Sequence, residues 1–442
     1  MPAFTEEQKK AAVHKEGPML VIAGPGSGKT TVLTHRIRYL TSEYQVPGSR
    51  ILVITFSSAA AREMEQRYQK LCPPGEKNPG VCFGTFHSVF YHVLSKYGVY
   101  RETKRLADRR MQLAVLQQAA EECFRKEAAA FPGINLTTDA YELLLAEIGR
   151  LKNGLPVKNE LAERLLPAYN RCLRRQDLLD FDDMLLDFLD LLRTNAAVLS
   201  ALRKSWEYIM IDEFQDINPV QFAAVQLLAA PRDNLFAVGD DDQSIYSFRG
   251  SDPDIMLSFP QLYPKAEIVS LTRNFRSSGS VVFRSACLIS RNKKRFPKHL
   301  YTENPKGPEP EIRCFNSSDD EAEFIRISLE GQPPDLTVGI LYRTHKEGKH
   351  FLRFASSNVC CMTFHASKGL EFDIVYIVSA SDRKENGMPG IAEEERRMFY
   401  VAMTRARKEL HISYTKYSYN HKNKCSRFIQ ESRRRGGFPW II

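Results

Sequence analysis

Leu20-Val21-Ile22-Ala23-Gly24-Pro25-Gly26-Ser27-Gly28-Lys29-Thr30-Thr31 is an apolar run that breaks into glycines and ends in Gly-Lys-Thr. The run suits a buried strand, and the glycines after it let the backbone turn so that several N–H groups converge on one anion. A helix beginning at Lys29 would aim the positive end of its dipole at the same anion. The stretch therefore reads as a phosphate-binding loop, with Lys29 reaching the β- and γ-phosphates and the Thr30 hydroxyl ligating Mg²⁺. Ala23 stands at the first glycine of the general pattern, so that position does not call for a positive φ. The competing reading is an empty glycine turn between strand and helix, and the Gly-Lys-Thr ending argues against it.

Outward from the loop, apolar runs alternate with helical spacing. The pattern predicts a helix over 5–13, a strand over 19–22, a helix over 29–40, a strand over 51–56 and a helix over 59–70, which is the alternation of a parallel α/β sheet. From 88 to about 177 the pattern is helical, with Arg105, Arg109, Arg110, Arg171, Arg174 and Arg175 as either a solvated face or a nucleic-acid face. The sheet resumes at Tyr208-Ile209-Met210-Ile211 and again over 235–238. A second α/β region begins near 266, with strands over 338–342 and 373–378, and its Pro-, Gly- and charge-rich stretch 293–310 reads as a surface loop or linker.

Two acidic stretches follow apolar strands, at the carboxyl ends where α/β sheets bind ligands. Asp212-Glu213-Phe214-Gln215-Asp216 offers Asp212 for Mg²⁺ and Glu213 to polarise an attacking water, against the plainer reading of first-turn acids on a helix. In Gly239-Asp240-Asp241-Asp242-Gln243-Ser244-Ile245-Tyr246-Ser247-Phe248-Arg249-Gly250, Gln243 could sense the γ-phosphate. Tyr246 and Phe248 could offer ring faces to bases beside the charge of Arg249.

At 442 residues the chain has room for about two to four domains. Its 43% hydrophobic and 26% charged content is that of a globular protein, and the net charge of +9 suits a polyanionic partner. The nine cysteines are scattered without a zinc-type spacing. No apolar run is long enough for a bilayer span and the first residues lack a signal-peptide form, so the expectation is a cytoplasmic protein that does not meet a membrane.

The ordered stretches Glu7-Gln8, 23–30, Thr55-Phe56-Ser57, Gly84-Thr85-Phe86-His87, Asp180-Phe181-Asp182-Asp183, 212–216, 239–250, Asn274-Phe275-Arg276-Ser277-Ser278, 363–372 and 400–407 together resemble the UvrD/Rep/PcrA family of superfamily 1 DNA helicases. The resemblance implies two RecA-like P-loop motor domains with parallel sheets and a helical insertion in the first. The first motor domain would run over 1–87 and 178–265, the insertion over 88–177, and the second motor domain over 266–442. It implies an ATP cleft in which Gln8 reads the adenine, Phe275 stacks on it, Glu371 contacts the sugar, and Arg276 and Arg405 act as arginine fingers. Such a finger is worth on the order of 10³ to 10⁵ in rate. Single-stranded DNA would lie along Phe56, Thr85, His87, Tyr246, Phe248, Arg249 and His365, and single/double-strand junctions would be substrates. ATP and Mg²⁺ would be the cofactors, and movement would run 3′ to 5′.

Departures from the family pattern sharpen the expectation. Phe275 stands where the family often has Tyr, Phe248 where it commonly has Trp, and Thr31 and Ala59 where Arg and Lys are frequent. Only about twenty residues separate the strand ending at Tyr342 from Thr363, where the family usually inserts a large helical subdomain. The leading expectation is an ATP-driven single-stranded DNA translocase with helicase chemistry. The alternative is an ATPase switch, governed by DNA or a partner, that recruits a nuclease or repair factor without processive unwinding.

Overall fold

The computed structural model describes residues 4–73, 80–100, 105–126, 136–157, 159–382, 389–418 and 421–433. They form two compact units: Met1–Val21, Thr30–Gly239 and Tyr246–Val269 make the first, and Ile22–Lys29, Asp240–Ile245 and Ser270–Ile442 the second. The mixed α/β class expected from the sequence holds in both.

The first unit is built on a six-stranded sheet in the order Cys82–Thr85, Ile51–Thr55, Tyr208–Ile211, Leu235–Gly239, Met19–Ala23, Glu267–Leu271. Ile51–Thr55 pairs in parallel with both Cys82–Thr85 and Tyr208–Ile211. Every residue of Met19–Ala23, Ile51–Thr55, Tyr208–Ile211 and Leu235–Gly239 is buried. Strands covered on both faces must be apolar throughout, which is why they read as unbroken runs rather than as alternation.

The helical region contributes Arg109–Lys126, Thr138–Lys152 and Glu160–Arg175. These close over their own core, including Val115, Leu116, Leu144, Ile148, Leu165 and Tyr169. A short parallel pairing of Arg105–Leu106 with Leu178–Leu179 fastens the entry of the region to its exit. The ends of two helices meet at a buried charge cluster: the Lys152 ammonium donates to Asp180 and Asp183, both at 2.7 Å, and Asp180 caps the helix Phe181–Thr194. The same end of Thr138–Lys152 reaches the aromatic turn, because Arg150 Nη1 donates to the Ser247 carbonyl at 2.9 Å.

The second unit carries a five-stranded parallel sheet in the order Val359–Thr363, Val338–Tyr342, Phe372–Ile377, Ala406–Thr415, Glu311–Phe315. The connection from Tyr342 to Val359 is a short helix, His345–Gly348, and one tight turn, Leu352–Phe354, with Phe351 fully buried. It returns straight into the neighbouring parallel strand, so this link holds no inserted subdomain.

The stretch 293–310 lies mostly at the surface, as its composition suggests, and is pinned as a strap along the backbone of 272–280: Asn274 N donates to Tyr301 O at 2.7 Å, Tyr301 N to Thr272 O at 3.1 Å and Ser280 N to Lys306 O at 2.7 Å. Its Lys298 side chain is 1% exposed. Lys298 and Arg295 turn inward onto Asp240, Asp241 and Asp242, so neither is left as an unpaired buried ion, while Lys293, Lys294, Glu303, Lys306 and Glu309 stay exposed.

Candidate nucleotide and nucleic-acid sites

The phosphate loop begins where the strand Met19–Ala23 ends, with Ala23 still in the strand and its φ negative. Gly26 and Gly28 take φ of +66° and +83°, the left-handed region open to glycine. Ser27 closes the turn by donating its hydroxyl to the Gly24 carbonyl at 2.7 Å. The helix Lys29–Ser42 that follows has no acidic residue in its first turn, so nothing there opposes an anion.

Within the second unit the loop is laced to the stretch 274–277. Asn274 Nδ2 donates to the Pro25 carbonyl at 2.8 Å and Phe275 N to the Gly26 carbonyl at 2.9 Å. Asn274 Oδ1 in turn accepts from the backbone N–H of Arg276 and of Ser277. A Cβ on Gly26 would lie 2.6 Å from Cβ of Arg276, so the approach itself requires glycine. Phe275 is exposed, with the Arg273 guanidinium 4.6 Å from its ring centroid. Arg276 pairs through Nε with Glu371 Oε2 at 2.5 Å, which brings two of the predicted site residues together.

Arg405 is only 1% exposed. It donates to the carbonyls of Val401 and Leu370, to the Thr404 hydroxyl and, at 3.1 Å, to Gln243 Oε1. Gln243 is also buried, and its main-chain carbonyl accepts from the Lys368 ammonium at 2.9 Å. The predicted γ-phosphate sensor and the predicted finger thus touch within this unit.

In the first unit, Asp212 leaves the strand Tyr208–Ile211 with its N–H still bonded to the Ile54 carbonyl, and its Oδ1 accepts from Glu213 N at 3.0 Å. Glu213 sits at φ 52°, ψ 44°. A left-handed glutamate costs on the order of 1 kcal/mol or more, and strain of that kind collects at functional sites. Gln215 donates to its carboxylate at 2.5 Å. The Thr30 hydroxyl and the Asp212 carboxylate are hard oxygen donors of the kind Mg²⁺ takes. Gln8 is buried and has a local duty, since its amide oxygen accepts from Thr5 N at 3.1 Å in a capping box.

The predicted DNA residues of the first unit fall into two groups. The rings of Phe56 and Tyr246 stack at 4.8 Å and 13°, and Phe248 follows at 6.1 Å from Tyr246. Phe56 is 43% exposed and Phe248 46%. Large aromatic faces left in solvent are costly, so an exposed row of them marks a surface meant to be covered. Thr85 caps the helix Phe86–Lys96, and on its first turn His87 meets Phe181 edge to face at 4.9 Å. Burial drives the His87 pKa down to about 4, with a partial offset from the Phe181 backbone, so the ring is neutral near pH 7. The side chain of Arg249 lies outside the described residues. His365 belongs to the second unit, where it is half-buried in the turn after Val359–Thr363.

Four residues that the sequence reading left without a role stand out. Asn274 and Lys368 lie inside the quoted stretches and would have been found by asking which polar side chains those stretches carry. Phe181, exposed within Asp-Phe-Asp-Asp, offered the signal of one large ring among acids. Lys298 offered none of its own.

Residues 4–264 match the UvrD/REP helicase N-terminal domain, and residues 346–417 match the UvrD-like helicase C-terminal domain. The chain is 34% identical over 358 residues to the ATP-dependent DNA helicase PcrA of Staphylococcus aureus, a match covering 78% of this chain and 48% of that protein. It is 35% identical over 361 residues to the putative ATP-dependent DNA helicase YjcD of Bacillus subtilis, covering 78% and 46%. Against PcrA of Leuconostoc citreum it is 33% identical over 365 residues, covering 78% and 48%. The chain therefore spans about half the length of the curated relatives it matches.

Proposed function

We propose, for a chain that belongs to the UvrD/REP helicase family, that it is an ATP-hydrolysing motor that moves 3′ to 5′ along single-stranded DNA and acts at single/double-strand junctions. The observation that carries the reading is the phosphate loop, with Gly26 and Gly28 left-handed and a helix after it free of first-turn acid. Backbone N–H groups of residues 24–29 and the Lys29 ammonium would hold the phosphates of ATP. Thr30 and Asp212 would hold Mg²⁺, which when bound neutralises phosphate charge. Glu213 would take the proton of the attacking water, its carboxylate aimed by Gln215. Arg276 and Arg405 would meet the charge that develops on the transferred phosphoryl group, and Gln243, bonded to Arg405, would report the γ-phosphate to it. Gln8, Phe275 and Glu371 would bind adenine and sugar. DNA would stack on Phe56, Tyr246 and Phe248 and pass Thr85, His87, Arg249 and His365, with little sequence preference because every base has a π-face.

The test is steady-state ATP hydrolysis by the purified chain with and without an unstructured single-stranded oligonucleotide. Strong stimulation by DNA is expected, and loss of turnover in Lys29→Ala and Glu213→Gln. Full turnover in either variant overturns these roles.

The short link from Tyr342 to Val359 favours a second reading, in which the ATPase acts as a switch that recruits a nuclease or repair factor. Hydrolysis indifferent to DNA, with a chain that self-associates in sedimentation, would favour it.

A further inference from the structure

Three consecutive acids, Asp240, Asp241 and Asp242, are buried in the second unit at 0%, 1% and 0% exposure. Each offers an oxygen within 4.8 Å of the others, a spacing that would suit a metal ion. The place is taken by a side chain. Lys298 Nζ lies 2.5 Å from Asp240 Oδ1, 2.6 Å from Asp241 Oδ1 and 2.7 Å from Asp242 Oδ2. Arg295 grips Asp242 with two parallel bonds, Nε to Oδ1 at 2.8 Å and Nη2 to Oδ2 at 2.6 Å, and Phe296 N donates to Asp241 Oδ2 at 2.9 Å. The strap 293–310 thus plugs the acidic turn with two cations.

The consequence runs through the second oxygen of Asp240. Its Oδ2 accepts from Gln243 Nε2 at 2.6 Å, which fixes the amide so that Oε1 faces Arg405 Nη2. Without the ammonium, Asp240 would be drawn to other donors or repelled by Asp241 and Asp242, and the Gln243 amide would lose its bearing.

We propose that Lys298 is a positioning residue for ATP hydrolysis: its ammonium holds the Asp240–Asp242 carboxylates in place, and through Asp240 it sets Gln243 against Arg405. This rests on the ATPase reading above. Lys298 does not touch nucleotide; it acts on the reaction through Gln243.

A double-mutant cycle of Lys298→Met and Gln243→Ala tests this, with ATP affinity, DNA-stimulated kcat and thermal unfolding measured on each protein. Lys298→Met is expected to lower kcat by about 10²- to 10³-fold, the scale of a lost transition-state donor, with ATP affinity within about threefold of the parent. Adding Gln243→Ala is expected to cost little more, because both changes remove one unit. A kcat near the parent's, or losses that multiply independently, overturns the proposal. Where Lys298→Met does not fold, Asp240→Asn carries the same cycle. It cuts the link to Gln243 while the ammonium keeps Asp241 and Asp242, and the same two outcomes decide. A parent chain without ATPase activity refutes the functional reading instead, so the two failures are distinct.

Discussion

Arg276 and Arg405 are both predicted to serve as arginine fingers, yet their surroundings demand different consequences when each is cut to alanine. Arg405 is buried and donates to Val401 O at 2.9 Å and to Leu370 O, Thr404 Oγ1 and Gln243 Oε1, each at 3.1 Å. Its removal strands buried acceptors at about 1 kcal/mol each and leaves a cavity, so Arg405→Ala should destabilise by roughly 3–5 kcal/mol. At about 2–4 °C per kcal/mol, that lowers the Tm by about 10 °C. The Arg276 side chain is 16% exposed and its partner Glu371 41%, a pair worth no more than about 1 kcal/mol. Arg276→Ala should therefore move the Tm by less than about 4 °C. Both variants should lose DNA-stimulated turnover by about 10³-fold or more. Differential scanning fluorimetry with a coupled ATPase assay reads both quantities on the same preparations. Equal losses of stability would refute the packing argument, and turnover at the parent's level in either variant would refute its assignment as a finger.

Phe56→Ala and Phe248→Ala should each weaken binding of a single-stranded oligonucleotide by about 1–3 kcal/mol in fluorescence anisotropy while ATP affinity stays within twofold; unchanged DNA affinity would remove the aromatic row from the groove. Gly26→Ala places a Cβ 2.6 Å from Arg276 Cβ at a φ of +66° and should cut ATP affinity at least tenfold with DNA affinity retained, measured by isothermal titration; ordinary ATP affinity would show that the loop opens on binding. His87, with its pKa lowered to about 4 chiefly by burial, is neutral when folded but takes a proton near pH 6.5 when unfolded. Folding is therefore penalised as pH falls from 6.5 toward 4. His87→Gln should gain about 2 kcal/mol relative to the parent in urea unfolding between pH 7.5 and pH 5, and parallel pH profiles would show that the ring protonates in place.

The fold was legible where the backbone itself imposes residue types. Parallel strands covered on both faces must be apolar along their length, so Ile51–Thr55 and Leu235–Gly239 announce themselves, and a phosphate loop must have glycine at 26 and 28 because of its φ values. Of the candidate site, Lys29, Thr30, Asp212, Glu213 and Gln243 were readable from the same local constraints, whereas Gln8, Phe275, Arg276, Glu371 and Arg405 entered only through the family resemblance. What the sequence did not show are partnerships across the chain: Arg405 finds Gln243 at a separation of 162 residues and Lys298 finds Asp240 at 58. Most of the charge of 293–310 is solvated, as its composition suggests, because burying an ion costs several kcal/mol; Lys298 is the exception because its counter-ions are already buried. Asp240-Asp241-Asp242 follows directly on a strand with every residue buried, and such a triplet cannot stay in an interior alone. The acids themselves were thus the signal that a cation had to come from another part of the chain. The Lys and Arg side chains of 293–310 were among the candidates to supply it, beside the arginines between 105 and 175 whose role the sequence also left open.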